Sequence, residues 1–273
     1  MLMQEAFFLP ASDGQRFCLH TPPQGQQEKG AVVYIHPFAE EMNKSRRMVA
    51  MQSRAMAAAG YGVLQIDLHG CGDSSGDFGD ASWESWVRDV ADAGRWLRDR
   101  SSAPLWLWGL RAGCLIAAAA AVNLENDTNF LFWQPAPAGK PLLQQFLRLK
   151  LAGELAGREN KGITEALRRQ LAEGEVVEVA GYRLSPALTR GLEAAVLELP
   201  ANTGRIEWIE ISPRAEPTIA PASIKRLEEW HATGLSVRSQ VVCGPSFWQT
   251  SEIEEAPALI QATLAALEYQ AGA

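Results

Sequence analysis

Apolar and polar positions along the chain follow two rhythms. The wholly apolar run AVVYI from Ala31 and the largely apolar YGVLQI from Tyr61 read as strands buried on both faces. Between them lie stretches with apolar residues at helical spacing. MVAMQSRAMAAAG from Met48 closes on Gly60, a helix stop signal. SWESWVRDVADAGRWLRDR repeats Trp83, Trp86, Val90 and Trp96 at helical spacing, with Ser82 or Ser85 as its N-cap. AFFLP and RFCLHTP, joined through Ser12-Asp13-Gly14, predict an opening hairpin. PLWLWGL and the Gly/Ala-rich helix from Ala112 add another strand and helix. This alternation predicts an α/β fold: a mostly parallel sheet with helices on both faces.

The rhythm breaks after NFLFWQPAPAG. Residues 135–204 carry helical patterns with only short β-like pieces, and they predict an inserted helical lid. It resumes with RIEWIEIS, the helix IKRLEEWHATG, the strand SVRSQVVCG and a last helix from Glu252. The core thus comprises residues 1–134 and 205–273. In the insertion, Leu142, Leu143, Phe146, Leu147 and Leu151 share a helical face beside Arg148 and Lys150. That face either packs on the core or roofs an acyl ligand.

Composition narrows the function classes. The 273 residues carry 25 Lys+Arg against 32 Asp+Glu, a net charge of −7, which argues against a nucleic-acid partner. Cys18, Cys71, Cys114 and Cys243 form no CxxC pair, and His20, His36, His69 and His231 have no metal-ligand spacing, so neither a metal nor another cofactor is expected. The N-terminus lacks a basic stretch before an apolar run of signal-peptide length, and the apolar stretch Ala112 to Val122 is too short to span a bilayer. No membrane span and a cytoplasmic location are the expectations.

Three strand-end segments draw the chemistry together, since ligands in open α/β sheets sit outside the carboxyl ends of strands. They are His36-Pro37-Phe38-Ala39-Glu40-Glu41, the D-x-x-G-x-G-x-S turn from Asp67 to Ser74, and Gly109-Leu110-Arg111-Ala112-Gly113. Their order resembles the α/β-hydrolase superfamily: an oxyanion loop, a glycine-rich turn, then an elbow of form G-x-S-x-G. The strings HPFAEEMNKSRR, DLHGCGDSSGDF, WGLRAG and GPSFWQT resemble the exosortase A system-associated hydrolase 2 family. That resemblance implies an α/β-hydrolase fold and a setting in bacterial exosortase and exopolysaccharide gene clusters.

One departure dominates. The nucleophile position holds Arg111, whose guanidinium stays protonated and cannot attack a carbonyl. The resemblance places Glu216 at the acid position, but Gly244-Pro245-Ser246-Phe247-Trp248 has no histidine where the base belongs. The oxyanion donors would be the N–H groups of Phe38 and Ala112. A cation at a helix N-terminus is disfavoured by roughly 0.3–1 kcal/mol unless an anion offsets it. Either a ligand carboxylate or phosphate does so, or Glu40, Glu41 or Glu216 forms an internal pair with Arg111.

The remaining pocket candidates have plainer readings. His36 braces the oxyanion loop, His69, Asp73 and Ser74 shape their turn, and Cys114 is a buried packing residue. Cys71, in a glycine-rich loop, is expected to be exposed; Ser246 is a loop hydroxyl and Trp248 a cleft aromatic. Two functions stand against each other. One is hydrolysis or transfer of an acyl ester or thioester. The other is an inactive homologue that binds an anionic ligand or assists a companion hydrolase of the same gene cluster.

Overall fold

The computed structural model describes residues 4–124, 127–150, 160–201 and 203–269. The elements are β1 (Glu5–Ala11), β2 (Gly14–Thr21), β3 (Gly30–Ile35), α1 (Glu40–Ala58), β4 (Tyr61–Ile66), a 3₁₀ turn (Phe78–Asp80), α2 (Trp83–Arg98), β5 (Leu105–Leu110), α3 (Ala112–Ala121) and β6 (Thr128–Trp133). Then come α4 (Gly139–Leu147), α5 (Asn160–Ala172), β7 (Val177–Val179), β8 (Tyr182–Leu184), α6 (Pro186–Ala194), β9 (Thr203–Ser212), α7 (Pro221–Ala232), β10 (Val237–Cys243) and α8 (Pro257–Glu268).

Eight strands form one sheet in the order β1-β2-β4-β3-β5-β6-β9-β10. The opening hairpin pairs antiparallel, β2 runs antiparallel to β4, and every other pairing in the sheet is parallel. Alternation along each strand divides the core into two layers. Val33 and Ile35 face Trp86, Val90, Leu115 and Ile116 of α2 and α3. Val32 and Tyr34 face Met48, Val49 and Met56 of α1 and Leu259 and Leu267 of α8. Central strands buried on both sides explain why β3 and β5 are apolar throughout.

Helix starts depart from the sequence reading for local reasons. α1 begins at Glu40, ahead of Met48, because its outward face is the polar NKSRR stretch while Met42 and Ser45 continue the buried stripe. Glu40 and Glu41 thereby fall in the first turn, where the macrodipole favours carboxylates. In α2, Ser82 is the cap and Ser85 answers it: each hydroxyl accepts the other's N–H at 3.0 Å. α8 starts at Pro257, whose missing N–H costs nothing in a first turn.

The stretch between β6 and β9 holds α4, α5, α6 and the hairpin β7-β8. Leu142, Leu143, Phe146 and Leu147 are buried, as their shared face predicts, and Leu151 lies outside the described residues. Phe146 stands edge-on to Phe38 at 5.1 Å, and Tyr182 packs on Phe78 at 5.0 Å. Ser185 caps α6 and also donates its hydroxyl to the Ala81 carbonyl, tying this stretch to the entry of α2. Among the described residues, no helix is long and apolar enough to cross a membrane.

Candidate functional site at the strand ends

Positive φ angles at non-glycine residues gather where strands end. Ala39 follows β3 with φ 51°, Arg111 follows β5 with φ 56°, and Gln134 follows β6 with φ 45°. Such backbone costs on the order of 1–3 kcal/mol per residue and persists where its surroundings enforce it. At Arg111 the enforcement comes from two glycines. A Cβ on Gly109 would lie 2.6 Å from the Cys114 nitrogen, and one on Gly113 would lie 2.3 Å from the Ile35 carbonyl oxygen. The strand therefore turns directly into α3. The Arg111 N–H donates to the Trp133 carbonyl at 3.0 Å, and its own carbonyl accepts from Cys114 at 3.1 Å.

The guanidinium finds an internal acid. Arg111 Nε and Nη2 donate to the same oxygen, Oε1 of Glu41, at 3.3 and 3.2 Å. Nη2 also donates to Gln145 Oε1 on α4 at 2.9 Å, and Gln249 Nε2 approaches Glu41 Oε1 at 3.4 Å. The Trp248 ring centre lies 5.8 Å from the guanidinium carbon, within cation–π range. Burial pushes the Glu41 carboxyl up from its ordinary value, with the Arg111 charge pulling it back. Glu40 lines the same site; burial raises its carboxyl too, and its Oε2 is enclosed without a hydrogen-bond partner. The space left among Phe38, Glu40, Glu41, Arg111, Leu142, Gln145 and Phe146 is about 10 Å³, roughly the room of one water molecule.

Other expected site residues divide into those that meet Arg111 and those that do not. Glu216 is exposed in the loop after β9 and makes no ion pair among the described residues, so Glu41 supplies the counter-charge. Phe38 and Ala112 are buried, and among the described hydrogen bonds neither backbone N–H has an acceptor. His36 braces the loop: Nδ1 bonds the Pro37 carbonyl at 2.8 Å and Nε2 accepts the Leu68 N–H at 3.3 Å. Those two bonds define a neutral ring protonated on Nδ1, and burial lowers its basicity.

The Asp67 turn is built from its own polar groups. Ser74 Oγ accepts the Phe17 N–H at 2.9 Å, Asp67 Oδ2 accepts the Asp73 N–H at 3.1 Å, and the His69 N–H donates to Asp89 at 2.8 Å. The expected exposure of Cys71 is wrong. Its loop folds inward so that the side chain joins the aromatic core, and burial drives its thiol up, far from the reactive thiolate. Cys114 is likewise buried, with its thiol on the Gly109 carbonyl at 3.2 Å and raised well above its ordinary value. Ser246 is half-buried beside Phe247 and Trp248, which are buried, and the loop from Gly244 to Thr250 contains no histidine.

Gln145 and Gln249 carry no signal in the sequence. Nothing in the spacing marks them, since each is one glutamine among several and its role depends on where two separate segments fold.

The strand order, the strained turn after β5 and the crossovers on both faces are those of an α/β-hydrolase. The chain matches the serine aminopeptidase (S33) family over residues 26–182, more than half its length, and belongs to that family. The human protein ABHD12B (Homo sapiens) is 33% identical over 96 residues, spanning 35% of this chain and only 25% of the relative. Est1E from Butyrivibrio proteoclasticus, solved with ferulic acid bound, superposes with a TM-score of 0.66 at 14% identity, covering 95% of this chain and 97% of that one. The Xanthomonas campestris protein XC6422, described as an α/β serine hydrolase without a lid, gives a TM-score of 0.58 at 17% identity over 97% and 93% of the two chains. A serine hydrolase homologue from Coxiella burnetii gives 0.56 at 14% identity over 96% of each chain. At these identities the solved structures speak for the fold alone.

Proposed function

We propose that this chain is an α/β-hydrolase homologue that has lost triad chemistry and serves a bacterial exosortase or exopolysaccharide system from the cytoplasm, alongside a companion hydrolase. The single observation that carries the reading is the Arg111–Glu41 pair at the elbow, 3.2 Å apart with about 10 Å³ of space beside it. Acyl transfer needs a nucleophile within reach of a base and room for the carbonyl it attacks. Arg111 offers neither electron pair nor space. The thiols of Cys71 and Cys114 are buried and held protonated, and Ser246 has no base beside it. The exosortase setting draws its support from the four sequence strings.

In this reading residues 135–204 are a lid on a core of residues 1–134 and 205–273, and Gln145 is the point where α4 fastens to the elbow. A second reading keeps the protein as an acyl ester or thioester hydrolase or transferase that activates water. It draws on one observation, the unbonded N–H groups of Phe38 and Ala112, a donor pair suited to a developing oxyanion. Turnover of acyl esters and thioesters of graded chain length separates the two. The proposal expects wild type to match the buffer and Arg111→Ala to match wild type. Turnover that needs the intact protein and disappears on active-site substitution favours the second reading.

A further inference from the structure

We propose that the elbow is a carboxylate-exchange site, at which a ligand carboxylate carried on an apolar group takes over Arg111 from Glu41. The inference rests on the reading of the elbow as a non-hydrolysing ion-pair site, and it adds the class of ligand.

The present pair uses only part of what Arg111 offers. Nε and Nη2 converge on one oxygen of Glu41, while Nη1 has no acceptor among the described residues. A guanidinium is a planar fork that bonds a carboxylate best through two parallel N–H···O contacts. Two further backbone N–H groups, that of Phe38 in the loop after β3 and that of Ala112 at the start of α3, have no acceptor among the described hydrogen bonds. The donor set therefore exceeds what Glu41 satisfies.

The surroundings select the head group and the tail. With about 10 Å³ beside the pair, a ligand cannot add itself to the site; its head group has to occupy the volume of the Glu41 carboxylate. A planar carboxylate fits that replacement, whereas a tetrahedral phosphate is larger. Phe38, Leu142 and Phe146 line the space, and the Trp248 face lies across the guanidinium, so the remainder of the ligand meets apolar walls. Glu40 and Glu41 already stand against Arg111 and Lys44, so the site has no spare positive charge and an anion enters only as Glu41 leaves. Departure of Glu41 is eased because burial already disfavours its charged form.

Chemical rescue of Glu41→Ala in the full chain tests this. The substitution removes the carboxylate and leaves Arg111 partnered by Gln145 alone. Propionate should raise the melting temperature of Glu41→Ala and bind it at least about tenfold more tightly than wild type, the size of one charge-assisted hydrogen bond. Propionamide, of the same shape without the charge, should do nothing, and Glu41→Ala/Arg111→Gln should not respond. Should Glu41→Ala fail to fold, the ¹⁵N–¹H signal of Arg111 Nε in wild type provides the readout, shifting with propionate and not with propionamide. No rescue and no shift overturn the proposal, as does an equal response to inorganic phosphate, which would mark an unselective anion site. Ester turnover by wild type removes the underlying reading instead, so the two failures are distinguishable.

Discussion

Arg16 and Arg111 each set a guanidinium against a carboxylate, but they are held in different ways. Arg16 is 1% exposed, its Nε lies 2.8 Å from Asp89, which is 1% exposed, and it also pairs with Asp13. Asp89 spends its other oxygen on the His69 N–H, so strand β2, the turn after β4 and helix α2 are joined through one buried charged cluster. Arg111 is 13% exposed, its partner Glu41 is 9% exposed, and a single oxygen carries both contacts. It also occupies a strained turn, with φ 56°. The first pair has the marks of a staple inside the fold. The second is partly open to solvent and rests on one carboxylate oxygen.

The largest effect that sharpens this contrast is at Arg16. Arg16→Leu strands Asp89 and should cost about 3–5 kcal/mol of folding stability, measured by urea unfolding. Glu41→Ala should cost less, about 1–3 kcal/mol, because Gln145 and nearby solvent take over part of the guanidinium. A larger loss at Glu41 than at Arg16 would reverse the distinction.

Titration gives a smaller, signed effect. Burial raises the Glu41 carboxyl above its ordinary 4.5, so the folded protein holds that proton more tightly than the unfolded chain. Its contribution to stability is full below 4.5 and is lost as pH rises through the folded value. His36 acts in the opposite sense. Burial lowers it below its ordinary 6.5, so the unfolded chain takes the proton first, and stability falls as pH drops from 6.5 toward the folded value. Glu41→Gln and His36→Asn should each remove one slope of up to about 1.4 kcal/mol per pH unit, with opposite signs, in stability measured across pH 4 to 8. Smallest of all is salt. Raising it to about 1 M should weaken the partly exposed elbow pair by a few tenths of a kcal/mol and leave the Arg16 cluster unchanged, read by the same unfolding assay on the two variants.

Much of this arrangement is legible in the sequence because it rests on local rules. Apolar runs such as AVVYI announce buried strands, Gly109 and Gly113 announce the elbow, and Arg111 at its apex requires an acid. Glu41 was one of three candidates for that acid. What chose it was the early start of α1, which the polar NKSRR face hides and which brings Glu41 to the end of β5. Gln145 and Gln249 were invisible for a related reason. Their contacts depend on where α4 and the loop after β10 come to rest, and no periodicity encodes the distance between segments far apart in the chain. Cys71 shows the same limit from the other side: glycine-rich composition suggests an exposed loop, yet this one is tied to β2 through Ser74 and turns its thiol inward.

The claim that Arg111 and Glu41 form the plug of a converted elbow is tested most directly by a double-mutant cycle. Wild type, Arg111→Ala, Glu41→Ala and the double variant would be unfolded in urea and their stabilities compared. The account expects a coupling of about 1–3 kcal/mol, the double variant being more stable than the two single losses imply. Additive losses would contradict it, because two residues that hold each other in place cannot be lost independently.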